Sequence, residues 1–219
     1  MKLLFANRNY SSWSLRAWLV LKHFGIPFDE EMVLLSGDGW QETIRRKSPS
    51  GRVPVLFDGD AVIPESIAII EYLNDKYPAK GIWPSDRLKR AQARAVSAEI
   101  HGGFSGLRNA APMNLRASHP GKVDPDPIAG ELRRIEEIWG DLTAESGGPF
   151  LFGKFTGADA MFAPVATRIR TYGLPVSDSA MDYVDAIYSL PAFQEWLAEA
   201  LKEPWTVDRN EIDLIRAPA

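Results

Sequence analysis

The chain of 219 residues contains no cysteine. That excludes disulfides, cysteine metal sites and an internal dithiol redox centre, and it rules out thiol transfer through a mixed disulfide with the protein. Any sulfur chemistry must use a thiol that arrives with a ligand. Histidine is scarce: His23, His101 and His119 are scattered without metal-ligand spacing, so no metal is expected. No apolar run approaches the roughly 18 residues of a membrane span, so no membrane partner is expected. Basic charge is not in excess: 25 Lys and Arg against 29 Asp and Glu leave a formal net charge of −4. That balance argues against a nucleic-acid partner. The basic run Arg45-Arg46-Lys47 reads as a solvated helix end. Residues 1–6 read as a strand rather than a secretory signal, because polar residues follow at once. A soluble, cytoplasmic protein of one large domain or two small ones is the expectation.

What is present is an alternation of short apolar runs and helical patterns. Residues 2–6 suit a strand, and 12–24 suit a helix with Leu15, Leu19, Val20 and Phe24 on one face. Gly25-Ile26-Pro27 stops that helix. A strand at 29–34 and a short helix at 39–47 follow. Strands at 53–57 and 61–63 flank Asp58-Gly59, a hairpin signal, and 66–77 is helical with Ile67, Ile70 and Leu73 in phase. The order is βαβαββα. It implies a four-stranded mixed sheet of the thioredoxin-like arrangement.

Two prolines and a glycine between 78 and 85 mark a linker. Beyond it strand signals almost vanish. A long helical pattern covers 86–118, bent near Gly102-Gly103. Further helices are expected at 127–146, 156–172, 179–189 and 191–201. The fold class is therefore α/β plus all-α. A thioredoxin-like domain spans 1–78, a linker 79–85, and an all-helical domain 86–219.

Three local patterns carry chemistry. Ser11 and Ser12 stand at the start of the first helix, where unpaired N–H groups and a partial positive charge favour an anion such as a thiolate. A serine there also serves as a plain helix cap. Val53-Pro54 leads into the third strand. A cis bond would turn the Val53 N–H and C=O outward to pair with an extended peptide; a trans bond is the ordinary state. Glu65-Ser66 immediately precedes a helix and suits either capping or a ligand carrying both carboxylate and ammonium. At Thr156-Gly157-Ala158-Asp159 a capping box is expected, with a structural role alone.

Together these patterns resemble the cytosolic glutathione transferases over nearly the whole chain. Val53-Pro54, then Glu65-Ser66 ahead of Ile-Ala-Ile-Ile-Glu-Tyr-Leu, is similar to that family's glutathione-binding pattern. Ser11-Ser12-x-Ser-x-Arg is most similar to the zeta class, which includes maleylacetoacetate isomerases. The resemblance implies glutathione as co-substrate, a small and mostly hydrophobic electrophile, and a homodimer. It implies that Ser11, or Ser12 in its place, donates to the sulfur, and that Val53, beside Pro54, pairs with the cysteinyl backbone. Glu65 and Ser66 would hold the γ-glutamyl end, and Arg52 or Trp40 the glycyl carboxylate. The electrophile pocket would involve Trp13, Phe104, Leu107 and Arg108. Trp13 stands where the zeta pattern has a cysteine, so that pocket is reshaped. An isomerase of the maleylacetoacetate type is one alternative reading. A non-catalytic carrier of glutathione or hydrophobic ligands, and a dimeric scaffold, are two others.

Overall fold

The structure is a computed structural model that describes residues 1–212; residues 213–219 of the expected helical domain lie outside the described residues. Leu3, Leu4, Phe5 and Ala6 are fully buried, which makes the first strand, β1 (Lys2–Ala6), a central one. The elements that follow it are α1 (Ser12–His23), β2 (Asp29–Val33), α2 (Trp40–Lys47), β3 (Val55–Asp58), β4 (Ala61–Pro64) and α3 (Ser66–Lys76). Strands run in the order β2-β1-β3-β4, with β1 parallel to β2 and antiparallel to β3. The hairpin between β3 and β4 turns at Gly59, whose φ is +59°. This is the expected βαβαββα order.

Strand direction decides where function gathers. The carboxyl ends of β1, β2 and β4 and the amino end of β3 lie at one end of the sheet. The segments holding Ser11, Trp40, Val53 and Glu65 therefore emerge side by side. Ile44 of α2 packs against Leu4, Ala6, Val33 and Val55 on one face of the sheet. The other face, with Leu3, Phe5 and Leu56, joins the main core.

A 3₁₀ turn (Pro78–Lys80) lies in the expected linker. The helical part comprises α4 (Arg87–Gly102), α5 (Ser105–Ala110), α6 (Ala129–Ser146), α7 (Gly157–Tyr172), α8 (Asp178–Ser189) and α9 (Pro191–Lys202). The pattern over 86–118 is not one bent helix. It breaks after Gly102, and Gly103 is held so that a Cβ would lie 2.8 Å from the Glu99 carbonyl oxygen. Phe104 then takes a left-handed conformation (φ 56°), and α5 starts on the Glu131 carboxylate, which accepts from Gly106 N–H (3.1 Å) and Leu107 N–H (2.6 Å). Residues 111–118 are irregular.

Helix α7 is the hub, buried along almost its whole length and packed against α1, α4 and α8. Its capping box is present. The Asp159 carboxylate accepts from Thr156 N–H (2.8 Å) and Thr156 Oγ1 (2.9 Å), and also from Leu151 N–H and Tyr183 Oη, both at 3.0 Å. Burial pushes the Asp159 pKa up to about 6 against these four donors. Gly157 lets α7 approach α3: a Cβ there would meet Ile70 Cγ2 at 2.8 Å and the Trp83 ring at 2.9 Å. Trp18 of α1 stacks edge-on against Trp196 of α9 (centroids 5.2 Å), and Trp196 Nε1 donates to the Arg8 carbonyl (3.0 Å). The sheet part and the helical part thus share one continuous core.

Candidate active site

A cleft of about 670 Å³ opens where that end of the sheet faces the helical part. Its walls come from the β1–α1 turn, α2, the segment before β3, the start of α3, the ends of α4 and α5, α7 and the stretch after α9. This volume lies within the range of small-molecule sites, roughly 300–1,000 Å³.

Ser11 and Ser12 both line the cleft and are largely buried. Ser11 is the N-cap of α1; its Oγ accepts from Ser14 N–H at a long 3.4 Å. Its hydroxyl also donates to Ser14 Oγ (2.8 Å), which accepts from Ala6 N–H at 3.0 Å. The turn carrying the serines is fixed by two buried asparagines. Asn7 Oδ1 accepts from Leu35 N–H (2.8 Å), and Asn9 exchanges hydrogen bonds with Asn114, Leu115 and Arg116.

The Val53–Pro54 bond is cis, and both residues line the cleft. Val53 stands ahead of the β3 ladder, whose register begins at Val55. Glu65 has φ 71°, a conformation that costs a non-glycine residue about 1–3 kcal/mol. Its carboxylate faces Arg52 (3.9 Å) and His101 (3.8 Å). Ser66 is fully buried at the first position of α3, its hydroxyl without a hydrogen-bond partner among the described residues. It sits behind Glu65 rather than on the cleft wall.

The electrophile side differs from expectation. Trp13 and Arg108 line the cleft, but Phe104 and Leu107 do not. The break after Gly102 turns both into the main core, where Leu107 is fully buried. Pro112, Met113 and Arg168 take the wall instead. Among the described residues four arginines, Arg52, Arg108, Arg168 and Arg209, line the cleft beside one carboxylate, Glu65, in a chain of net charge −4. Arg168 is buried and spends Nε on the Ala111 carbonyl (2.8 Å) and Nη1 on the Pro164 carbonyl (2.9 Å). Arg108 donates to the Gly103 carbonyl. Behind them Arg16 is 2% exposed, and its Nε and Nη1 have no hydrogen-bond partner among the described residues. Burial, then the charges of Arg168 and Arg108, push the Arg16 pKa down to about 9, and burial with Arg108 pushes Arg168 down to about 10. Both Arg16 and Arg168 remain cationic at neutral pH.

Trp13 explains part of this arrangement. Its ring lies 4.3 Å from the Arg16 guanidinium carbon and 5.7 Å from that of Arg108. Each contact contributes about 0.5–2 kcal/mol, a partial substitute for a carboxylate. His101 meets the same ring edge-on (5.1 Å). Burial and the Arg16 charge lower the His101 pKa from 6.5, against the opposing pull of Glu65.

Comparison with known proteins decides the family. The model "Glutathione S-transferase, N-terminal domain" matches residues 10–76, and "Glutathione S-transferase, C-terminal domain" matches 125–199. A maleylacetoacetate isomerase of Rattus norvegicus is 35% identical over 197 residues, covering 85% of this chain and 87% of that protein. The chain belongs to the glutathione S-transferase family. A zeta-class glutathione S-transferase of Euphorbia esula is 34% identical over 53% of this chain and 51% of its own length. A glutathione transferase homolog from Burkholderia gl BGR1, solved with bound glutathione, superposes with a TM-score of 0.69 at 27% identity, covering 91% of this chain and 97% of that one.

In this zeta-like glutathione S-transferase the cleft brings together, of the residues singled out in the sequence, Ser11, Ser12, Trp13, Trp40, Arg52, Val53, Pro54, Glu65 and Arg108. Sequence reading did not single out Ser14, Arg16, His101 or Arg209 for the site. Arg16 had a signal, a charged residue on the inward face of a helix, one turn beyond Ser12. Arg209 had none, because it arrives from the far end of the chain.

Proposed function

We propose that the protein binds glutathione in this cleft, ionises its thiol and directs the thiolate at a small electrophilic carbon. The observation that carries the proposal is the convergence of the Ser11 and Ser12 hydroxyls, Val53 and Glu65 on one cavity. A γ-glutamyl ammonium fits Glu65, and its carboxylate suits the backbone N–H groups at the start of α3 rather than the Ser66 hydroxyl, which is buried behind the wall. The cysteinyl backbone fits Val53 as an added strand. Its sulfur then reaches the start of α1.

Ionisation has a stated cost. Lowering a thiol from about 8.5 to about 6.5 needs about 2.7 kcal/mol and gives roughly 75% thiolate at pH 7. A hydrogen bond to a charged group supplies about 1.5–3 kcal/mol, and a helix end about 0.3–1 and up to about 2. Ser11 supplies the first when its rotor turns. Ser11 donates to Ser14 Oγ, which also accepts from Ala6 N–H, so the Ser11 proton must leave Ser14 to reach the sulfur. Ser12 is the alternative donor. Calorimetry with glutathione, followed by turnover of chlorodinitrobenzene, tests the proposal; the absence of both binding and turnover overturns it.

A second reading concerns the electrophile. The cationic wall of Arg108 and Arg168, with Arg16 behind it, supports an acceptor bearing carboxylate rather than a purely hydrophobic one. Thiolate would add to the β-carbon of a cis-enone acid, forming a C–S bond and sending the π electrons to an enolate. Rotation and loss of the thiolate would return the trans alkene, an isomerisation of the type named in the relatives. We also propose a homodimer, supported by the family and by exposed Leu88 on α4 and Val62 on β4; sedimentation tests it. We further propose a cytoplasmic protein, since a chain without cysteine suits a reducing compartment, and a detoxifying role, since thiolate addition removes an electrophile.

A further inference from the structure

We infer that Arg209, carried over the cleft by the stretch after α9, holds the glycyl carboxylate of the bound tripeptide. The inference rests on glutathione binding as proposed above. The order of strands sets the direction in which the tripeptide runs. The γ-glutamyl end at Glu65 lies beyond β4, the cysteine at Val53 lies ahead of β3, and Trp40 follows β2 at the opposite edge. From β4 to β2 is three strand spacings, about 14 Å. An extended tripeptide reaches about 10–11 Å, plus the extra methylenes of the γ-linkage. Its carboxyl end therefore arrives on the Trp40 side.

The cation awaiting it is not Arg52, whose guanidinium faces Glu65 at the other end. Nor is it in α2. Arg45 and Arg46 pair with Glu42, and Lys47 pairs with Glu31. Arg209 lines the cleft on this side, its guanidinium carbon 4.9 Å from the Trp40 ring centroid. Among the described residues it makes no ion pair. Stacking on the indole face fixes the plane of the guanidinium and leaves its N–H edge to a carboxylate.

The strap is anchored on both sides of Arg209. Val207 is buried, and Asn210 Nδ2 donates to the Met113 carbonyl (3.3 Å). Upstream, the Glu203 carboxylate accepts from Arg8 N–H (2.6 Å) and Asn9 N–H (3.1 Å), and Arg116 donates to the Glu203 and Trp205 carbonyls. The strap is thus tied to the same β1–α1 turn that presents the serines. Trp40 then serves as the platform for the cation that binds the carboxylate.

Two ligands that differ by one charge test this. Calorimetry at low salt compares glutathione with its glycyl ethyl ester on the parent chain and on Arg209→Ala and Arg209→Lys. The parent chain is expected to bind the ester about tenfold more weakly, the effect of one charge-assisted hydrogen bond at a half-open site. In Arg209→Ala that ratio falls to about one, with the ester bound as by the parent chain; Arg209→Lys keeps part of the ratio. A parent-sized ratio in Arg209→Ala overturns the inference and leaves glutathione binding intact. Equal weakening of both ligands also overturns it, since that marks a strap that merely packs. Failure of the parent chain to bind either ligand overturns both the inference and the reading beneath it.

Discussion

Replacing Arg168 with methionine separates an acidic acceptor from a neutral one. The guanidinium gives Nε and Nη1 to two backbone carbonyls, while its Nη2 makes no hydrogen bond among the described residues and the side chain lines the cleft. A carboxylate meeting that edge gains a charge-assisted hydrogen bond of about 1.5–3 kcal/mol. If the bond is made in the transition state, its loss lowers kcat/KM about 10–150-fold. Two structural effects of the substitution oppose each other. The Ala111 and Pro164 carbonyls lose a donor, at about 1–3 kcal/mol each where they stay unsatisfied. Against that, one of three mutually repelling cations disappears, and the Arg16 pKa rises as its largest like-charge neighbour leaves. The assay compares a cis-4-oxo-but-2-enoate with its methyl ester, in the parent chain and in Arg168→Met. The acid is expected to lose the full factor and the ester little, with Arg108→Met following the same trend. Equal losses for acid and ester, or an acid unaffected by either substitution, would refute an acceptor held by these arginines.

Further outcomes follow from other groups. Ser11→Ala is expected to raise the pKa of the bound thiol by about 1–2 units, read by ultraviolet titration of the thiolate, while Ser12→Ala leaves it within about half a unit; the reverse pattern moves the role to Ser12. Asp159→Ala strips the acceptor from four donors and is expected to cost about 3 kcal/mol or more in urea unfolding, with the cleft chemistry unchanged in what remains folded; a loss under about 1 kcal/mol contradicts the assigned role. His101 has a folded pKa below the unfolded 6.5, so the folded state binds fewer protons. Its contribution is complete above about pH 6.5 and is lost as pH falls through the lowered value. His101→Gln should therefore flatten the acid side of the stability profile, measured as urea midpoints between pH 7.5 and 5; an unchanged profile removes His101 as a source of acid sensitivity.

Local signals were the readable ones. Gly25 and Pro27 end α1 because left-handed backbone and a missing donor act within a few residues, and Gly59 turns the hairpin for the same reason. The Thr156–Asp159 box could be read because both partners lie within one helical turn. The break after Gly102 could not be read in full. Two glycines signalled a weak point, but the cap of α5 is Glu131, which lies 25 residues beyond Gly106. That distant carboxylate turns Phe104 and Leu107 into the core and leaves the cleft wall to Met113 and Arg168. The arginines show the same limit. On composition Arg16 and Arg168 look like solvated residues, and their burial is decided by packing of α1 on α7. The glycyl end depends on a residue brought from nearly 170 positions away in sequence, counted from Trp40 to Arg209, which no local pattern announces.

The central claim is that this cleft takes a tripeptide thiol and ionises it at the start of α1. Ultraviolet titration of the glutathione-loaded protein measures that step alone. The account predicts a bound thiol that ionises near pH 6.5, about two units below the free one. A bound thiol still titrating near about 8.5 would contradict it, since binding would then occur without the activation that the serine and the helix end are there to supply.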